Sequence, residues 1–445
     1  MSKKIFNVTI NKKIKSFNKV IKVDSDKSIS IRSLLIGAIS QNITRIRNIL
    51  MSEDVLDTIK CLKKLGVKIV KRKDIINVFG KGIGSLNAKK KTELNFGNSG
   101  TLARLIIGIL STTPNVELKL TGDHSLKKRS MKKLISIMSE FGASFYPKRK
   151  HHFPLKMISS SMPIGIEYKA GVSAQLKSAT ILAGLNSYGV TKIIQREKSR
   201  DHTEKMLAQN KSVIRIDKEN NTIEIKGKKI LKSMDINVSG DPSSAAFFCA
   251  LTILKENSSL KILNVGLNPT RIGFYHLLKK HGAKIKFINL KIKNGERFGD
   301  ILIKHSRLKP LKASKEYYVN STDEYPILFI IAAFTNGTSI FKGIKDLANK
   351  ESNRIKEMQK ILNQIGIRNR ALEDEIKIYG KGLNNKIKKK VFVKNLGDHR
   401  ICMSAFILSI LTGAKTSIKN FETVNTSSPS FLKIMKNLGA KFEIN

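Results

Sequence analysis

Seven arginines sit where anion chemistry would use them. The chain of 445 residues carries 83 lysines and arginines, of which only 17 are arginine. Lysine therefore supplies generic charge, and the sparse guanidinium groups are better suited to forked recognition of carboxylate or phosphate. Arg32, Arg104, Arg129, Arg200, Arg271, Arg354 and Arg400 fall in the turn-rich segments DKSISIR, GNSGTLAR, TGDHSLKKR, EKSRDH, NPTR, KESNR and GDHR. Converging like charges repel one another unless an anion stands between them, so the set predicts a site for an anionic small molecule.

Helix starts point the same way. A helix N-terminus presents unpaired N–H groups and a partial positive charge, and small polar residues there let an anion approach. Lys27-Ser28 with Arg32, Asn98-Ser99-Gly100-Thr101 with Arg104, and Ser173-Ala174-Gln175 with Lys177 fit this pattern. Ordinary N-capping favours the same residue types and is the competing explanation. Acid–base candidates are Asp323-Glu324 and Glu351, the latter beside Lys350 and Arg354. A carboxylate among cations suits a base, and partial burial moves it toward an acid; Asp323 could equally be an N-cap. His124, His202 and His399 lie in motif turns, but no HxH, HExxH or His/Cys spacing accompanies them, so no metal is expected. His151-His152 is expected on the surface, and GxSxG, GxxxxGK[ST] and strand-linked GxGxxG motifs are missing from the sequence.

The elements that must position these residues repeat six times. A polar turn, then small residues, then an apolar helix recur in SDKSISIRSLLIGAI, GNSGTLARLIIGIL, VSAQLKSATILAGL, DPSSAAFFCALTIL, DEYPILFIIAAF and DHRICMSAFILSIL. The markers Ser28, Ser99, Ser173, Ser243, Glu324 and His399 follow one another at 71, 74, 70, 81 and 75 residues. A second helix in most units ends on a glycine stop before a strand, at Gly66, Gly142, Gly282, Gly366 and Gly439; the third unit lacks it. Each unit reads as two helices interleaved with about four strands. The nearly continuous apolar runs predict first helices buried on most sides. Single cores stop growing near about 250 to 300 residues, so two globules of three units are expected, with the boundary near Asn237 to Gly240.

Composition narrows the class. At 41% hydrophobic, a formal charge of +49 does not exclude a folded core. Cys61, Cys249 and Cys402 suit neither a disulfide framework nor a zinc cluster and predict a reducing compartment. The best apolar runs, Tyr325 to Phe334 and Ile401 to Leu411, are too short to span a membrane. MSKKIFNVTINKK returns too quickly to polar residues for a signal peptide, so a cytoplasmic protein is expected. The basic runs Lys89 to Lys91, Pro147 to Lys150 and Ile387 to Lys390 read as solvated loops. An RNA-binding protein is the rival reading, and it predicts salt-sensitive RNA retention.

Together DKSIS with Arg32, GNSGT, TGDHSLKKR, SAQLKSA, SRDHTEKM, DPSSAAF, DEYP, KESNRI and GDHRICM resemble, in order and over nearly the whole chain, the 3-phosphoshikimate 1-carboxyvinyltransferase (EPSP synthase) family of enolpyruvyl transferases. The resemblance implies an α/β fold of two similar globular domains, each of three βαβαββ repeats, in the inverse α/β barrel arrangement. Residues 25–238 would form the first domain, and 1–24 with 239–445 a discontinuous second one. It implies transfer of the enolpyruvyl group of phosphoenolpyruvate to the 5-hydroxyl of shikimate 3-phosphate with release of phosphate, in chorismate and aromatic amino acid biosynthesis. No metal or redox cofactor is implied, nor nucleic acid or membrane, and a monomer is expected. By motif match, Lys27, Ser28, Arg32, Ser173, Gln175, Arg200, Asp323 and Lys350 would contact shikimate 3-phosphate. Lys27, Gly100, Arg129, Gln175, Arg354 and Arg400 would hold phosphoenolpyruvate. Asp323 would accept the hydroxyl proton and Glu351 would help protonate the methylene carbon; Lys27 joins them as a catalytic residue.

The match has departures. Asp24-Ser25 stands where Pro-Gly is common, Ile31 where His is, Ser130 where Pro is, Asn353 where Asp is and Ser428 where Phe is. Thr426 occupies a place where one branch of the family has a Lys. Gly100 leaves room where a bulkier residue would exclude glyphosate, so sensitivity to that inhibitor is expected. The related transferase acting on UDP-N-acetylglucosamine generally uses a loop cysteine, and the matching stretch STTPNVELKL has none.

Overall fold

The structure, a computed structural model, describes residues 5–89, 92–382, 390–394 and 396–445. Lys90 and Lys91, and residues 387–389 of the other basic run, lie outside them. The chain divides into two compact units: Met1–Asp24, Ser239–Lys291 and Arg297–Asn445 form one, Ser25–Val238 and Ile292–Glu296 the other.

The described strands build six four-stranded sheets on one plan. Glu93–Asn95 runs parallel to Glu117–Thr121, Leu155–Ile158 pairs antiparallel on the other side, and Ser144–Tyr146 closes the edge. With helices Gly100–Ser111 and Lys132–Glu140 between these strands, the order is βαβαββ. Glu167–Ala170, Val190–Gln195, Thr222–Lys226 and Ile214–Asp217 repeat the pattern. Around Ile43–Arg47 the parallel strand comes from far away, Asp235–Asn237. In the other unit the start of the chain completes two sheets. Asn18–Lys22 lies parallel to Ser259–Gly266, and Val8–Ile10 sits antiparallel between Lys415–Ile418 and Glu443–Ile444.

The first helices of the repeats are Lys27–Ile39, Gly100–Ser111, Ala174–Gly184, Pro242–Leu254, Tyr325–Ala333 and His399–Thr412. Every residue of Pro242–Leu254 and of Tyr325–Ala333 is buried, as is Ile29 through Ile39. Each fully buried Leu, Ile or Phe contributes about 1.5–3 kcal/mol, so these rods dominate the two cores. Five of the six begin on a side-chain cap: Asp26, Ser99, Ser173, Asp241 and Asp398 each accept a backbone N–H of the first turn. The five glycine stops all have positive φ, from 77° to 101°, and directly follow the caps of second helices such as Glu53–Lys64 and Arg354–Gln364. The third unit's second helix, His202–Leu207, ends on Ala208 in ordinary helical geometry.

One close packing matters for the site. A Cβ on Gly108 would lie 2.5 Å from the Ala179 carbonyl oxygen. The glycine thus lets helix Gly100–Ser111 approach the backbone of Ala174–Gly184 closely.

Candidate functional site

Within the unit formed mainly by residues 25–238, the predicted residues gather at helix starts. Lys27 is the first residue of its helix, and its Nζ lies 3.1 Å from Asp54 Oδ2. Arg32, buried one turn on, donates from Nε to Thr203 Oγ1 (2.9 Å), from Nη2 to Ser178 Oγ (3.1 Å) and from Nη1 to the Ser28 carbonyl (3.1 Å). The two helices packed at Gly108 meet through Gln175. Its Oε1 accepts from Arg104 Nη1 at 2.8 Å and its Nε2 donates to Thr101 Oγ1 at 3.0 Å. Arg129 donates to Asn98 Oδ1 at 2.7 Å and Ser125 Oγ at 3.3 Å, while Asn98 is held in turn by Asp123. An ideal Cβ on Gly100 would fall 2.7 Å from Arg104 Nη1 and 3.0 Å from Arg129 Nη1, so Gly100 faces both guanidinium groups. Ser173 caps its helix, accepting the Leu176 N–H, and its hydroxyl hydrogen is left to donate elsewhere. Arg200 is half-buried beside His202, whose Nδ1 lies 2.6 Å from Glu296.

Two cations of the sequence pattern are held inside the fold. Lys177 is fully buried, 2.6 Å from Glu204 and donating to Gln195 and the Ser199 carbonyl, because its position on the helix turns it into the core. Arg271 is buried against Asp241 (3.1 Å) and Ser243 (2.9 Å), bracing the start of its own repeat's first helix. His152 is exposed as expected, whereas His151 is half-buried.

The other unit collects the acid–base candidates. Arg354, buried at the first position of its helix, is gripped by Asp398 (Nε to Oδ2, 3.0 Å), Glu351 (Nη2 to Oε2, 2.8 Å) and Asp323 (Nη1 to Oδ1, 3.7 Å). Burial lowers its pKa, but the three carboxylates outweigh that and raise it overall. Asp323 lies in the turn between Lys315–Ser321 and Tyr325–Ala333, where the cap position belongs to Glu324, so its capping alternative fails. Lys350 Nζ sits 2.5 Å from Asp346 Oδ2. Arg400 is buried with Nε and Nη1 reaching no hydrogen-bond acceptor among the described residues, while its backbone N–H donates to Asp398. Leaving guanidinium nitrogens buried and unpaired costs several kcal/mol unless an anion completes them.

Asp398, Asp54 and Asp346 do not stand out in the sequence, although Asp398 binds the Arg354 guanidinium and caps its own helix through the Arg400 N–H. The signal was present in the GDHR motif itself: an acid at the cap position of a repeat. Two departures from the family pattern also meet. Asp24 Oδ2 accepts the Ser428 hydroxyl and the Ser430 N–H, both at 3.0 Å, and the Asp24 carbonyl accepts from Asp241 N–H.

A family model described as EPSP synthase (3-phosphoshikimate 1-carboxyvinyltransferase) matches residues 11–435. The chain belongs to the EPSP synthase family. It is 40% identical over 440 residues to the 3-phosphoshikimate 1-carboxyvinyltransferase of Clostridium tetani, covering 98% of each chain. It is 39% identical to that of Petrotoga mobilis, covering 95% of this chain and 97% of the relative. A solved EPSP synthase from Acinetobacter baumannii superposes with a TM-score of 0.85 at 34% identity, over 99% of this chain and 100% of that one. The enolpyruvyl transferase NikO from Streptomyces tendae, at TM-score 0.76 and 11% identity over 99% and 98% of the two chains, shares the fold. Among the described residues no helix is long and apolar enough to cross a membrane.

Proposed function

We propose that this chain transfers the carboxyvinyl group of phosphoenolpyruvate to the 5-hydroxyl of shikimate 3-phosphate, releasing phosphate and giving 5-enolpyruvylshikimate 3-phosphate on the way to chorismate and the aromatic amino acids. Membership of the EPSP synthase family supports the reaction. The single observation that carries the anion chemistry is Arg400, a buried guanidinium with two nitrogens that meet no hydrogen-bond acceptor among the described residues.

Lys27, Ser28, Arg32, Ser173, Gln175, Arg200, Asp323 and Lys350 bind shikimate 3-phosphate in this reading. Lys27, Gly100, Arg129, Gln175, Arg354 and Arg400 bind phosphoenolpyruvate. Both substrates carry phosphate and carboxylate, so guanidinium groups and helix starts offset their mutual repulsion. Asp323 takes the proton of the 5-hydroxyl as its oxygen attacks C2 of phosphoenolpyruvate, and Glu351 delivers a proton to the methylene carbon. The tetrahedral adduct then expels phosphate as a proton leaves the new methyl group, which restores the double bond. Residues 25–238 and the set 1–24 with 239–445 are the two functional domains in this reading. The protein acts as a cytoplasmic monomer on small molecules, without nucleic acid. Three buried free cysteines suit a reducing compartment.

The test is phosphate release from phosphoenolpyruvate with shikimate 3-phosphate present or omitted. Release only with both substrates is expected. Release independent of the second substrate, or none with both, overturns the reading. Glyphosate should inhibit in competition with phosphoenolpyruvate.

A further inference from the structure

We propose that Asp346 and Tyr318 are positioning residues that fix the ammonium of Lys350 for shikimate 3-phosphate. The inference rests on the reading above, in which Lys350 contacts that substrate.

Three residues from two elements meet here. Tyr318 lies on helix Lys315–Ser321, Asp346 on the short turn Lys345–Asn349, and Lys350 caps the end of that turn. Asp346 Oδ2 accepts twice, from Lys350 Nζ at 2.5 Å and from the Tyr318 hydroxyl at 3.0 Å. The same ammonium stands 6.0 Å from the centre of the Tyr318 ring, the outer limit for attraction to its face. Carboxylate and ring together confine a side chain that would otherwise sample many rotamers.

The phenol can only act as a donor in this arrangement. Burial raises its pKa far above the ordinary value, and the neighbouring Asp346 charge raises it further, so the O–H keeps its proton at any working pH. It therefore fixes the carboxylate rotamer, and the carboxylate fixes Lys350. Lys350 is a quarter exposed, so its remaining N–H donors are open to a second acceptor. Asp346 is itself about half exposed, and an ion pair so placed stabilises the fold very little. Its role is better sought in geometry.

A double-mutant cycle on the full chain tests this. Asp346→Asn should raise the KM for shikimate 3-phosphate about fivefold and leave that for phosphoenolpyruvate unchanged, with Tyr318→Phe raising it about twofold. Asp346→Glu should recover most of the loss. In a Lys350→Met background, Asp346→Asn should add nothing, because its effect runs through the missing ammonium. Full additivity there, or an equal rise for both substrates, overturns the positioning role. If Lys350→Met by itself leaves the shikimate 3-phosphate KM unchanged, the assignment of Lys350 fails instead.

Discussion

Arg32 and Arg354 are both buried guanidinium groups, the one on a first helix and the other at the start of a second, and carboxylates crowd Arg354. Arg32 donates to the Thr203 and Ser178 hydroxyls and the Ser28 carbonyl, and Arg129 and Arg104 donate to amide, hydroxyl and carbonyl oxygens. Arg354 is gripped by three carboxylates and Lys350 by a fourth. Carboxylates around a buried guanidinium offset its charge and bring groups able to carry protons. In the reading proposed above, both units bind the anionic substrates, and the unit around Arg354 also holds the proton-transfer groups. Two nitrogens of the buried Arg400 guanidinium, in the second unit, meet no hydrogen-bond acceptor among the described residues.

Substitutions can break or sharpen that contrast. Asp323→Asn should have the largest effect, lowering turnover about a thousandfold while calorimetry shows shikimate 3-phosphate still bound. Turnover within a few-fold of the parent would remove proton transfer from that unit. Arg129→Lys replaces a fork by a point charge and should raise the KM for phosphoenolpyruvate about tenfold, more than that for shikimate 3-phosphate. Equal rises would mean that Arg129 does not discriminate between the two anions. Gly100→Ala places a methyl group against Arg104 and Arg129 and should raise the phosphoenolpyruvate KM about threefold, with turnover retained; an unchanged KM would show that both side chains yield freely.

The smallest effect concerns stability at Asp24. Burial raises its pKa above 3.8, partly offset by the bonds from Ser430 and Ser428. Between 3.8 and the raised value the unfolded chain has lost this proton while the native one keeps it, so this group's contribution falls as pH rises through that window. Asp24→Asn should abolish that component. The melting-temperature difference, parent minus variant, should then be more favourable to the parent near pH 3.5 than at pH 7. A difference that is flat with pH would contradict the sign.

The repeat, the buried character of the first helices and the glycine stops were legible from local pattern, because an apolar run of helical length or a left-handed C-terminal residue is decided by neighbours a turn away. The same locality explains why Lys177 and Arg271 misled: in residue type and spacing they resemble the other candidates, but each meets a carboxylate inside the fold. Nothing near Arg354 in sequence announces Asp398, 44 residues on, and nothing near Asp24 announces Ser428.

By itself, then, the amino-acid order determined which residues could bind anions or move protons, and which segments become buried helices, since both follow from side-chain chemistry and short-range periodicity. Tertiary structure alone decided which carboxylate braces which cation and how the ends of the chain are used. Val8 pairs with Ile418 and Ile444 across almost the whole length. Such contacts must offset a large loop-closure entropy, and only the packing of a complete core supplies enough burial to do so.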